Sequence, residues 1–209
     1  MVILAPHRIM QDKQLLTLLL LISFLEGGSL MAFEILSSKL YTPFLGSSIY
    51  VWTSILTLTL AGLALGYKIG GKLSVQHPKK HLRSALAIAG LSMLVSIYSA
   101  APILEGFLFM DVKMASLLGG ILIIFLPVTA MGTVSPLIIG IMHQNGTSVS
   151  RASGVIYGTG TVGGIVLLLL TTFVLIPSIG VSTSILLFSV LMIGCAGLVF
   201  LIKVPQDEK

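Results

Sequence analysis

Two glutamates, Glu26 and Glu34, lie inside a long apolar stretch that runs from Leu15 to Leu36. A carboxylate in hydrocarbon is costly, so each needs a partner, a proton or a ligand. On one helix, Glu34 sits about 12 Å beyond Glu26 and about 80° around from it. The two can therefore face the same interior without touching. Lys39 follows Glu34 closely enough to suggest an ion pair near the membrane surface. Tyr50 and Tyr157 are candidate hydroxyl donors to Glu26. The chemistry this set supports is binding of a proton or a cation, because an ammonium group in a dry site requires a carboxylate. The expected location is a polar cleft between the first, second, fourth and fifth helices.

Other reactive residue types offer little. His7, His77, His81 and His143 all fall in expected loops or the N-terminal tail. His77 and His81 have a helical metal-binding spacing, but Pro78 interrupts it and no third ligand is evident. Ser135, beside Pro136, has no histidine base at its depth and reads as a packing hydroxyl. Cys195, the single cysteine, lies in an apolar helix and reads as a small buried hydrophobe. Asn145-Gly146-Thr147 has the glycosylation pattern, but its loop is expected on the cytoplasmic side. No catalytic residue, metal site or cofactor is expected.

Positioning these residues requires a membrane. Hydrophobic residues make up 56% of the 209 positions and charged residues 9%, against about 25% charged in soluble domains; the mean hydropathy is +1.08. A hydrocarbon core about 30 Å thick needs about 20 apolar helical residues. Six segments qualify: about 14–37, 48–68, 84–103, 114–142, 153–177 and 182–202. The expectation is one all-α bundle of six transmembrane helices at 14–202, with cytoplasmic tails at 1–13 and 203–209. Pro127 and Pro136 predict a kink or break in the fourth helix. Continuous rather than alternating apolar runs argue against a β-barrel. The first run, with Glu26 inside it, is too long for a cleaved signal peptide and is expected to remain.

Lysine and arginine set the expected orientation. Arg8, Lys13, Lys68, Lys72, Lys79, Lys80, Arg83, Arg151, Lys203 and Lys209 collect on one side, leaving only Lys39 and Lys113 on the other. Both termini are thus expected in the cytoplasm. The positive balance is a topology signal, with no nucleic-acid partner implied. Close helix packing is expected at Gly62, Gly66 and Gly70, and at Gly154, Gly158, Gly160 and Gly164, because small residues let membrane helices approach. Internal packing is the first reading of these faces and a homodimer the second. Gly46-Ser-Ser-Ile-Tyr50 before the second helix is similar to Gly154-Val-Ile-Tyr157 opening the fifth. These helices would run in opposite directions, as in a three-plus-three inverted pseudo-repeat.

Several of these motifs resemble the membrane domain of bacterial spermidine synthase-like proteins. The resemblance runs through Glu34-Ile-Leu-Ser-Ser-Lys39, Gly46-Ser-Ser-Ile-Tyr50 and Gly62-Leu-Ala-Leu-Gly66-Tyr-Lys-Ile-Gly70-Gly71-Lys72. It continues at Pro127-Val-Thr-Ala-Met131-Gly132-Thr-Val-Ser-Pro136 and from Gly154 through Leu175-Ile-Pro177-Ser-Ile-Gly180. Lys39 stands where that family usually has arginine, and Gly160 where it commonly has asparagine, leaving Thr161 as the polar member of that pair. The chain ends at Lys209 without the family's aminopropyltransferase domain, so synthase activity is not expected. The resemblance implies a non-enzymatic module of a bacterial inner membrane. It would act as a small transporter, with a polyamine-like cation as candidate ligand, or as the membrane partner of a separate soluble protein. A homodimeric half-transporter and a membrane-embedded enzyme acting on lipid-linked substrates are the alternatives; the enzyme would need both carboxylates in one lipid-accessible cleft.

Overall fold

The computed structural model describes residues 6–201, with side chains from Lys13 to Phe200; the expected tail at 203–209 lies outside the described residues, and α1 already begins at Pro6, within the expected tail at 1–13. The described chain is all helical, and six of its helical runs are long and apolar enough to cross a membrane. They are α1 (Pro6–Leu45), α2 (Ile49–Leu73), α3 (Pro78–Gly106), a run from α5 (Phe125–Gly132) to α6 (Val134–Gln144), a run from α7 (Val149–Leu170) to α8 (Ile176–Ile179), and α9 (Val181–Leu198). A shorter apolar helix, α4 (Val112–Ile123), leads into the fourth.

The first helix continues eight residues past its expected end at 37, and two of its polar residues there, Ser38 and Thr42, satisfy themselves within the helix. Ser38 Oγ donates to the Ile35 carbonyl at 2.9 Å, and Thr42 Oγ1 donates to the Ser38 carbonyl at 3.0 Å. Hydroxyls bonded back in this way remove the cost of leaving them unpaired in lipid. Gly46, at φ +72°, then turns the chain. Ser48 caps α2 by accepting from the Val51 amide at 3.3 Å.

The fourth segment breaks at Ile124 and Thr133, three residues before Pro127 and Pro136 respectively. Proline lacks an amide hydrogen, and its ring collides with the carbonyl four residues back, so each break falls where the ladder must open. Thr133 Oγ1 donates to the Ala130 carbonyl at 2.7 Å across the second break. A third irregularity precedes Pro177, where Thr171–Leu175 widens into a π-helical turn.

The helices pair in a definite order. The main partner of α1 is α7, that of α3 is α9, and α2 lies against α4 and α5. Exchanging the first three spans with the last three maps the first–fifth pair onto the fourth–second pair and the third–sixth pair onto itself. This pairing is compatible with an inverted repeat.

Glycines make two of these contacts possible. A Cβ on Gly66 would lie 2.5 Å from the Thr129 carbonyl oxygen, and one on Gly70 would lie 2.6 Å from that of Thr133. On the other pair, Gly27 meets the backbone of Gly160, and Gly163 meets the carbonyl of Phe24. Gly164 packs against Met31, and Ser23 Oγ crosses the same seam to the Ile156 carbonyl at 2.9 Å. Gly154 and Gly158 depart from the expected internal packing, since nothing lies within 4 Å of a Cβ at either position. Both are exposed on the outward side of α7, on either side of Ile156. Cys195 is buried, in the interior of α9.

Candidate functional site

The face of α1 turned to the bundle carries Leu19, Ile22, Ser23, Glu26, Ser29, Leu30 and Phe33, all buried. Their spacing of three and four residues is that of a single helical face. Glu26 sits in the middle of this stripe with 4% of its surface exposed. Among the described residues it has no hydrogen bond or ion pair.

A cleft of about 340 Å³ opens beside it. Four elements contribute: Glu26, Gly27, Leu30 and Met31 from α1; Leu63 and Tyr67 from α2; Ser135 from α6; and Tyr157, Gly160, Thr161, Gly164, Ile165 and Leu168 from α7. The glycines of the α1–α7 seam therefore serve a second purpose. Gly27, Gly160 and Gly164 draw the two backbones together and also form part of the cleft wall.

The cleft is not central in the bundle. Tyr67 lies about 9 Å of helix rise from the end of α2 at Leu73, and Tyr157 about 12 Å from the start of α7 at Val149. Both ends belong to the side that carries the α2–α3 and α6–α7 turns. Tyr67 and Tyr157 meet edge to face, with ring centroids 6.1 Å apart and planes at 83°, a preferred aromatic geometry. They are 40% and 43% exposed and form the rim with Ile165. Thr161 also reaches the cleft, although its Oγ1 donates to the Tyr157 carbonyl at 2.8 Å.

Of the residues expected to form a polar cleft, Glu26, Tyr157 and Thr161 come together here. Glu34, Lys39 and Tyr50 do not. Glu34 is half-buried farther along α1, and Lys39 is exposed. The expected Glu34–Lys39 ion pair does not form among the described residues. The reason is helical geometry: positions five apart lie about 140° apart around an α-helix, whereas neighbours on one face are three or four apart. Lys39→Ala is therefore expected to leave thermal stability within about 0.5 kcal/mol of the parent chain in a detergent melt, the range of a surface change. A larger loss would show that Lys39 does neutralise Glu34.

Tyr50 lies at the opposite end of the bundle, where Lys113 Nζ stands 4.9 Å from its ring centroid. This cation–π contact at the start of α2 and α4 accounts for both side chains. With Glu34 outside the cleft, the two-carboxylate arrangement needed for the enzyme alternative is not formed.

Sequence reading missed two polar members of the cleft. Tyr67 was hidden inside the glycine motif of α2, where Gly62, Gly66 and Gly70 drew attention to packing. Ser135 read as a packing hydroxyl because no base accompanied it. A useful signal was their chemical type at similar depth: both are polar groups in apolar helices, placed about two turns from the same membrane face.

The remaining chemistry-bearing residues are elsewhere, and His81 and His143, expected in loops, lie instead in the first turn of α3 and the last turn of α6. His77, at φ +50°, ends the α2–α3 turn before Pro78 starts α3. His143 Nδ1 lies 3.3 Å from the Thr147 carbonyl in the α6–α7 turn. In that same turn Asn145 Nδ2 donates to the Ile141 carbonyl at 2.8 Å, so its amide caps α6. At the basic end, the Arg83 guanidinium stacks 4.5 Å from the Phe200 ring centroid, joining α3 to the chain after α9. Comparison with protein-family models, curated proteins and solved structures finds no match to this chain, so the cleft is interpreted from its own geometry.

Proposed function

We propose that this multi-pass protein is a small membrane transporter in which Glu26 exchanges a proton for a cation. One observation carries the reading: a nine-tenths-buried carboxylate without a partner among the described residues borders an open cleft between four helical elements. A structural glutamate in such a place would be expected to find a hydrogen bond or a counter-ion. Here the unpaired group instead faces a cleft of ligand size. The family resemblance in the motifs of α1, α2, α5 and α7 fits a membrane module of the spermidine synthase-like group. The distribution of lysine and arginine supports termini on the cytoplasmic side, and the motif resemblance implies a bacterial inner membrane.

The test is reconstitution of the full chain into liposomes containing a pH-sensitive dye. External sodium, spermidine or tetraphenylphosphonium would each be added and proton efflux recorded. At least one is expected to release protons through the parent protein. Glu26→Gln should reduce that rate by at least about tenfold, a loss of about 1.4 kcal/mol or more in the limiting step. Glu34→Gln should retain most of it, because Glu34 lies outside the cleft. Equal rates for the parent and Glu26→Gln would remove the proposal.

A second reading, two chains completing one pathway, is favoured by Gly154 and Gly158. Their open surface on α7 lies next to the cleft rim and would admit a neighbouring helix. The mass of the detergent-solubilised protein decides this, with a monomer that still catalyses flux excluding the paired pathway.

A further inference from the structure

Resting on the reading of Glu26 as a cation site, we propose that the cleft selects a lipophilic organic cation with a single charge. The first argument is charge matching. Among the described residues Glu26 is the one carboxylate that lines the cleft, and Glu34 does not line it. A polyamine would bring further ammonium groups into an apolar enclosure with no carboxylate to meet them, and unpaired charge there is strongly disfavoured.

The second argument is ligand count. Hard inorganic cations are held by several oxygen ligands. Besides Glu26, the polar side chains here are Ser135, Thr161 and the two tyrosines. Only Glu26 among them is anionic, so that inventory leaves a divalent metal ion with uncompensated charge. It suits a cation whose charge is shielded by hydrocarbon and needs no coordination shell.

The walls supply the rest of the recognition. Leu30, Met31, Leu63 and Leu168 offer dispersion contact, and the edge-to-face Tyr67–Tyr157 pair presents aromatic surface for cation–π attraction. The volume of about 340 Å³ lies within the range of about 300–1,000 Å³ usual for small-molecule sites. The rim at Tyr67, Tyr157 and Ile165 is open on the outer surface of apolar helices, so a hydrophobic cation dissolved in the bilayer can enter sideways.

One carboxylate cannot hold a proton and a cation at full strength together, so binding displaces the proton. Tyr67 and Tyr157 share the cleft with Glu26, and Cys195 lies within its electrostatic reach. None is cationic, so Glu26 is the group whose proton the ligand displaces.

Radiolabelled tetraphenylphosphonium and radiolabelled spermidine, each bound to the detergent-purified full chain, provide the test. Tetraphenylphosphonium should bind saturably, more weakly at acid pH, without displacement by spermidine or sodium. Glu26→Gln should weaken it at least about tenfold. Tyr67→Leu, which keeps apolar bulk but removes the aromatic face, should weaken it while Tyr67→Phe retains it, a contrast that a purely packing role for the side chain would not produce. A monodisperse elution profile for every variant shows that folding is intact. If spermidine or sodium binds in a Glu26-dependent manner and tetraphenylphosphonium does not, the substrate class is overturned while the carboxylate site stands. If Glu26→Gln binds all three as the parent does, both readings fall.

Discussion

Gly66→Leu is expected to abolish the folded bundle. A Cβ at this position would lie 2.5 Å from the Thr129 carbonyl oxygen, 2.8 Å from the Gly132 Cα and 2.9 Å from its carbonyl carbon. All three obstacles are backbone atoms, so no side-chain rotation can relieve them. The helices α2 and α5 would have to separate, and with them the contacts at Gly62 and Gly70 on the same face. Overpacking in a dense interior commonly costs about 1–3 kcal/mol, and obstruction by rigid backbone belongs at or above the top of that range. Gly71→Leu is the matched control. Its substituent would meet nothing within 4 Å, so a change within about 0.5 kcal/mol is expected. Thermal melts with size-exclusion profiles would separate them: aggregated or poorly recovered Gly66→Leu beside a near-normal Gly71→Leu. Two equally stable proteins would show that the α2–α5 seam is looser than described here.

Glu26→Leu should act in the opposite direction and raise stability. The native side chain is buried without a hydrogen bond or ion pair among the described residues. A polar group buried without a partner costs about 1–3 kcal/mol by mutational measures. Leucine has a similar reach along its stem and would pack against Leu30 and Leu63, which line the same cleft. A gain of about 1–2 kcal/mol is expected, or several degrees in the melting temperature for a protein of this size. Function should disappear in the same variant, the usual trade at a site held in an unfavourable state. A lower melting temperature for Glu26→Leu would mean that Glu26 has a stabilising partner after all.

The architecture was largely legible from the chain because lipid imposes one rule on every segment. Backbone groups must be paired internally over the full thickness, so long apolar runs become helices. Pro127 and Pro136 disclosed the breaks in the fourth segment for an equally local reason. The end of the first helix was less legible. Ser37, Ser38 and Thr42 look like surface residues until Ser38 and Thr42 are seen to bond their own helix. The site was half legible. Glu26, Tyr157 and Thr161 were identifiable by type, but their association depends on α1 meeting α7, a contact between distant parts of the chain. No local pattern records that contact. The same limit explains the failed pairing of Glu34 with Lys39: proximity in sequence suggested a partner that helical phase denies. It also explains why seven glycines looked equivalent, when Gly154 and Gly158 face outward and Gly163 and Gly27, unremarked in the sequence, join α1 to α7.

The α1–α7 seam has a consequence for biosynthesis. Ser23 bonds a carbonyl 133 residues later in the chain, and the glycine contacts around it have similar separations. Helix α1 leaves the ribosome long before α7 exists, so its serine- and glutamate-bearing face waits in the membrane without its final neighbour. The N-terminal three helices alone would then be a poor fragment, prone to capture by quality-control proteases. Supplied with the C-terminal three as a separate polypeptide, they would be rescued by assembly across the seam.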